Sequence, residues 1–158
     1  MYFIGRTIQA ICFAAFFALL VHVFVVQPYA VTDQTMTPRF QKGDVVLVWR
    51  WPTITRGSVV LLREEKRSLR KVIGLPKERV IINDGILSIR NSEGVSLSEL
   101  PVFASVTTSI KDIGNIDAHE YYVISEAGIT ENNGIIDKRH IIGSPVFRIW
   151  PIVKIGKP

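Results

Sequence analysis

Residues Thr32–Val48 read TDQTMTPRFQKGDVVLV, a polar, turn-forming half followed by a β-branched run. Hydroxyls, Pro38 and Gly43 are residues that break regular structure and shape turns. The stretch from Asp44 to Trp51 is rich in Val, Leu and Trp, as strands are. A strand entered through a tight polar loop predicts a β domain, and it raises the question whether the Thr35 hydroxyl does chemistry.

Upstream of this loop, Thr7 to Val26 contains no Asp, Glu, Lys or Arg. At 1.5 Å per residue such a run covers about 30 Å, the thickness of bilayer hydrocarbon, and reads as a membrane helix. A cleaved secretory leader has a shorter apolar core and a small-x-small site. Here the nearest candidate, Pro28-Tyr29-Ala30, places proline where a small residue is needed, so the reading is a retained anchor. Cys12 follows Gln9-Ala10-Ile11, which is no lipidation site, and is taken as an apolar helix residue. Arg6 precedes the run and the next cation is Arg39, which orients the amino end toward the cytoplasm. The expected organisation is a cytoplasmic tail at 1–6, a transmembrane helix at 7–26 and an extracytoplasmic domain at 27–158, in the cell membrane as a single pass. With Cys12 the sole cysteine, that domain has no disulfide and depends on an ordinary core.

Net charge is +5, and Arg39 to Lys71 carries nine Lys and Arg against Asp44, Glu64 and Glu65. On an external, tethered domain such a balance fits a lipid bilayer surface with anionic headgroups, and no nucleic-acid partner is expected. Further strands are predicted at Ser58–Arg63, Leu69–Ile73, Arg79–Ile82, Ile86–Arg90, Tyr121–Ser125 and His140–Trp150, with Asn83-Asp84-Gly85 as a hairpin turn. Glu93 to Ile116 is rich in Ser, Thr and Gly and is expected to be a looped insertion. No segment outside the apolar run has a helical period, so the fold class is mostly antiparallel β. Zinc-type Cys/His spacing, a phosphate-binding glycine loop and a Gly-x-Ser-x-Gly elbow are all missing from the sequence. No cofactor and no metal are expected, and His119 and His140 have no nucleophile near them in sequence.

Thr35-Met36-x-Pro38-x-Phe40-x-x-Gly43-Asp44 resembles the nucleophile box of type I signal peptidases, in which Ser-Met-x-Pro-Thr-Leu precedes Gly-Asp and a strand. Arg56-Gly57-Ser58 is similar to that family's Arg-Gly-Asp box, and Arg70-Lys71-Val72-Ile73-Gly74-Leu75-Pro76 to its Lys-Arg-Val-Ile-Gly-Leu-Pro box. Asp137-Lys138-Arg139-His140-Ile141-Ile142-Gly143 is similar to Asp-Ser-Arg-x-x-Gly. The resemblance implies an anchored antiparallel β domain of the signal peptidase type, exported polypeptides or their signal peptides as partners, and a substrate-binding surface that includes Met36, Pro38 and Ile135. It implies a structural role in bracing the core for the pair Asp137 and Arg139.

The departures from the family pattern bear on activity. Thr35 stands at the nucleophile position and Arg70, counted back from Val-Ile-Gly-Leu-Pro, at the position of the catalytic lysine. Ile135 stands where a serine supports that lysine, and Ser125-Glu126 where Gly-Asp is usual. The Val123–Asp137 stretch is also about four residues longer than the family's spacing leads one to expect. Lysine serves as a base once its pKa is depressed, whereas a guanidinium stays protonated and offers no lone pair. Lys71 is adjacent, but successive strand residues face opposite ways, so it replaces Arg70 only through a bulge. The leading expectation is a signal-peptidase-like protein without a working dyad that binds exported polypeptides. For some Gram-positive relatives of this kind the partners would be pilus subunits and sortase machinery. The alternative is an active peptidase with Thr35 as nucleophile and Lys71 as base. A third reading is a membrane-surface module docking through Trp49, Trp51 and the basic segment; at least one of these tryptophans is expected in the core.

Overall fold

A computed structural model describes residues 2–83, 86–101, 111–126, 134–156 and 158, with the side chains of the first helix described from Gly5 to Leu19. Helix α1 (Tyr2–Phe24) leads almost directly into strand β1 (Val26–Ala30). The helix expected at 7–26 thus begins earlier and gives way to a strand at its end. Its described apolar side chains, among them Ile11, Phe13, Phe16 and Phe17, are more than half exposed, so the β domain does not cover them. Among the described residues no helix is long and apolar enough to cross a membrane.

Ten further strands follow: β2 (Val45–Trp49), β3 (Val59–Leu62), β4 (Ser68–Gly74), β5 (Arg79–Asn83), β6 (Ile86–Arg90), β7 (Ser96–Pro101), β8 (Lys111–Asn115), β9 (Glu120–Ile124), β10 (Gly134–Asp137) and β11 (Ile141–Trp150). They form a seven-stranded sheet in the order β1-β2-β11-β3-β4-β9-β10 and a four-stranded sheet in the order β7-β6-β5-β8. Every strand pair is antiparallel, as the sequence predicts. The region expected to be an insertion, Glu93–Ile116, instead supplies β7 and β8, which flank the smaller sheet. None of the described side chains of β7 and β8 is buried, so these edge strands carry no apolar alternation for the sequence to show. The Asp84-Gly85 turn lies outside the described residues, although Asn83 pairs with Ile86 on either side of it.

Burial follows the strand period. In β3 all four residues are buried: Val59 and Leu61 join a core with Met36, Phe40, Val46, Val48 and Leu69, and Val60 and Leu62 join another with Val72 and Val123 on the opposite face. The middle of the large sheet is therefore covered on both sides, which for β-branched and leucine side chains contributes about 1.5–3 kcal/mol each. A third cluster, Ile73, Val80, Ile82, Leu87, Ile89, Ile116 and Tyr122, joins the smaller sheet to the end of β4 and to β9. Burial there pushes the Tyr122 phenol up to about 12.

Trp49 and Trp51 are both exposed, with an edge-to-face separation of 6.2 Å. The expectation that one of them fills the core is thereby corrected. β2 turns Val46 and Val48 inward, so Trp49 faces outward by alternation.

Two glycines are fixed by lack of space. A Cβ on Gly74 would lie 2.5 Å from Ile116 Cδ1 and 2.7 Å from Tyr122 Cβ, and one on Gly143 would strike the carbonyl of Trp49. Because the obstacle at Gly143 is backbone, relief needs β11 and β2 to separate. Gly143→Ala is expected to destabilise the domain by about 1–3 kcal/mol, read as a lowered urea midpoint at unchanged slope; an unchanged midpoint would contradict this packing.

Candidate functional site

The loop between β1 and β2, residues 31–44, is tied at its base. Val31 N–H donates to Asp44 O at 2.8 Å and Gly43 N–H donates to Val31 O at 2.9 Å. Gly43 has φ +94°, a left-handed conformation that a side chain would disfavour. Within the loop Phe40 N–H donates to Met36 O at 2.8 Å, and Met36 and Phe40 are fully buried in the core. Met36 is thus a packing anchor, and Pro38, after a cis peptide bond, is exposed.

Arg148 of β11 clamps the same loop. Its Nη2 donates to Arg39 O at 2.5 Å, its Nε lies 3.4 Å from Asp44 Oδ2, and its guanidinium carbon sits 5.6 Å from the centre of the Phe40 ring. Asp44 Oδ2 also accepts from Gln41 N–H at 3.0 Å. Both Asp44 and Arg148 are buried, so the pair is held where water does not screen it.

So held, the loop presents Thr35 to β4 and β9. Arg70, the largest fully buried side chain, donates through Nη1 to Thr35 Oγ1 at 3.1 Å and to Leu69 O at 2.9 Å. Thr35 Oγ1 donates in turn to Asp33 Oδ1 at 2.8 Å. Ser125 Oγ donates to Thr35 O at 2.5 Å. The register explains this convergence. Lys71 is paired with Ile124, so Arg70 and Ser125 come from the neighbouring row and share a face.

Lys71 points to the other face, where Nζ lies 3.2 Å from Glu126 Oε1. The β4–β9 bulge falls beyond it, between Val72 and Gly74, and does not bring Lys71 into Arg70's place. Among the described residues no hydrogen bond links Lys71 to Thr35. Ile135 pairs with Tyr122, which pairs with Gly74, and packs on the cluster of the smaller sheet. That row is four residues from Arg70, about 13 Å along the strand, so the structure does not bring Ile135 to Thr35.

Asp137 and Arg139 lie elsewhere again. Asp137 caps the 3-10 turn Lys138–His140 by accepting from Arg139 N–H at 2.7 Å and from Arg139 Nη2 at 2.8 Å. Arg139 is 86% exposed, so the expectation that the pair braces the core is corrected: it closes a surface turn. Arg139's hydrogen bonds hold the Asp137 carboxyl down to about 2. The stabilisation is therefore complete above the ordinary carboxylate range and is lost only as pH falls through about 2, leaving the cap intact at physiological pH.

The chemistry follows from this inventory. A threonine hydroxyl has one proton to give and two lone pairs; here the proton goes to a carboxylate and a lone pair receives a guanidinium. Attack on a carbonyl needs a base to take the proton. Arg70 has no lone pair to take it, and the group that accepts the Thr35 proton here is the Asp33 carboxylate. Asp33 and the Ser125 bond were not foreseen from sequence. The signal for Asp33 is its place two residues before a turn hydroxyl, where short polar side chains bond locally. Among the described residues no group of His, Cys, Asp and Glu could hold a metal.

A family model described as signal peptidase, peptidase S26, matches residues 4–150. Signal peptidase I of Bacillus licheniformis is 28% identical over 95% of this chain and 90% of its own length. Signal peptidase IB of Staphylococcus aureus is 24% identical, over 90% of this chain and 86% of its own length. The Thr35 loop is expected to depend on Arg148: Arg148→Met strands the buried Asp44 carboxylate and should cost about 3 kcal/mol, measured by chemical unfolding, and a loss under about 0.5 kcal/mol would mean that the clamp carries no weight.

Proposed function

The chain belongs to the peptidase S26 family of signal peptidases, and on that premise we propose that it is a signal-peptidase-I-like protein that binds exported polypeptides in extended form and holds them rather than cutting them. The carrying observation is that Arg70 occupies the base position and donates to Thr35 Oγ1. The altered positions also contact one another. Arg70 and Ser125 both meet Thr35, and Glu126 meets Lys71. The Thr35 hydroxyl is thereby engaged by a permanent donor, and Lys71 is engaged by Glu126 on the other face. Binding of an extended chain uses main-chain hydrogen bonds and side-chain pockets, neither of which needs a nucleophile. Met36, Pro38 and Ile135 keep their place in the proposal only in part, as the packing anchor, the exposed loop tip and a distant core residue.

The domain organisation belongs to the same proposal. The proposed membrane span, expected at 7–26, is the helical part of that run, up to Phe24, with the amino end in the cytoplasm and residues 27–158 outside. The uncovered apolar side chains of α1 support the span. Val26 pairs with Trp49, which places Trp49 and Trp51 beside the exit of the helix, where indoles suit the bilayer interface. Pilus subunits and sortase machinery, as particular partners, rest on the resemblance alone.

An active peptidase using Thr35 and Lys71 is the rival reading, and the Lys71–Glu126 pair on the other face of β4 weighs against it. The two separate in one experiment. Full-length protein in nanodiscs is incubated with a preprotein and with the same protein lacking its leader, and retained material is weighed by mass spectrometry. Holding predicts that the leader-bearing chain is retained at least about tenfold more and at unchanged mass. Shortened product, or equal retention of both chains, would overturn it.

A further inference from the structure

The smaller sheet turns Val80, Ile82, Leu87 and Ile89 into its core cluster, and alternation puts Arg79, Ile81, Ser88 and Arg90 on the opposite face. Register sets one row across all four strands of that sheet: Ser96, Arg90, Arg79 and Asn115. Two arginines therefore stand directly opposite each other on neighbouring strands, an arrangement whose like charges repel and weaken the pairing. Lys77, in the turn that leads into β5, adds a third cation at the same end of the sheet.

Lys77, Arg79 and Arg90, with Asn91, Ser92 and Asn115, line a cleft of about 450 Å³, within the range of roughly 300–1,000 Å³ that takes a small organic ligand. No acid is among its described lining residues. Arg79 has a carboxylate partner in Asp112, which it meets through Nε and Nη2. None of the ion pairs among the described residues includes Lys77 or Arg90, so Asp112 offsets one of the three charges and two are left over. The uncharged lining also donates. Asn91 Oδ1 accepts from Glu93 N–H at 3.0 Å and from Val95 N–H at 2.8 Å, which leaves the amide NH2 as that side chain's free group. Lys77 has φ +70°, an uncommon conformation for a residue with a side chain, and its N–H donates to Ile116 O at 2.9 Å. Both Lys77 and Asn91 thus come from turns that backbone hydrogen bonds hold in place.

We propose that this cleft binds a phosphate group, whether of a lipid headgroup or of inorganic phosphate. A phosphate carries up to two negative charges and several acceptor oxygens, which matches the two uncompensated cations and the ring of donors around them. Guanidinium groups take phosphate oxygens in pairs, and a lysine serves as a point charge beside them. An anion seated between Arg79 and Arg90 also removes the repulsion that their register imposes. A carboxylate brings a single charge and two acceptors and leaves part of the surplus standing. Ile81 supplies an apolar patch of the wall, suited to the carbon atoms that a headgroup phosphate carries. The cleft shares no residue with the Thr35 site, so the proposal stands or falls separately from the holding function.

The test titrates inorganic phosphate, glycerol 3-phosphate, acetate and hexaglutamate into full-length protein in an uncharged detergent, by calorimetry at neutral pH and constant ionic strength. The native protein should bind one or both phosphates saturably and at least about tenfold tighter than acetate. Tighter binding of glycerol 3-phosphate assigns the site to a headgroup, and equal or tighter binding of inorganic phosphate assigns it to the free ion; either result supports the phosphate assignment. Arg90→Met and Lys77→Gly, the latter suited to the positive φ, should each weaken phosphate binding by at least about tenfold. Both residues are exposed, and thermal unfolding without ligand confirms that the variants are folded. Phosphate should raise the unfolding temperature of the native protein and leave that of Arg90→Met unchanged. Acetate bound as tightly as phosphate would reduce the cleft to a diffuse basic surface and overturn the proposal. So would saturable binding of neither phosphate, native affinity in Arg90→Met, or hexaglutamate bound more tightly than both phosphates, which would make the ligand an acidic peptide.

Discussion

A fully buried guanidinium donating to the hydroxyl of Thr35 is the constraint around which the site is organised. To bury that charge, β4 must lie inside the large sheet with both faces covered, and β3, β4 and β9 achieve this by packing Val60, Val72 and Val123 on one face and Leu61 and Leu69 on the other. To meet the guanidinium, the loop that carries Thr35 must be rigid. Met36 and Phe40 provide this by entering the core, and Arg148 and Asp44 by pinning the loop's far end. Fold and site are thus one problem in packing, and the hydroxyl is fixed from both sides by groups of opposite charge.

That geometry separates scaffold from chemistry. The signal peptidase fold, as this chain retains it, positions a hydroxyl, a cation and a loop within hydrogen-bond reach. In the holding function proposed here the cation is a permanent donor, because arginine, unlike neutral lysine, has no lone pair at any ordinary pH, and in this chain it donates to Thr35 Oγ1.

Much of this was legible in the residues. β-branched and aromatic runs located seven of the strands within a residue or two, and antiparallel topology followed from the absence of helical period. Arg70 and Lys71 were separable in advance because strand alternation is strict, and they do face opposite ways. Less was legible where a strand buries none of its described side chains. β7 and β8 carry few apolar residues and read as loop, and β1 was hidden because the apolar run that makes the helix continues into it. Linear spacing also misled at Ile135, since the family's serine position falls here on a strand whose register sets it beside Tyr122 and not Arg70. The Asp137–Arg139 pair suggested a core brace because paired charges recur in cores, yet exposure decides such roles and sequence does not carry it. Asp33 belongs to the site through a contact between residues two apart, the shortest and least visible kind of evidence.

The claim that Arg70 in place of a base governs the outcome is tested most directly by single-turnover cleavage of a preprotein, with full-length protein in excess, comparing the native chain with Thr35→Ser/Arg70→Lys. The account predicts no product from the native chain and product from the double variant, dependent on the restored serine. Cleavage by the native chain that disappears in Thr35→Ala would contradict it and would show that another group takes the Thr35 proton.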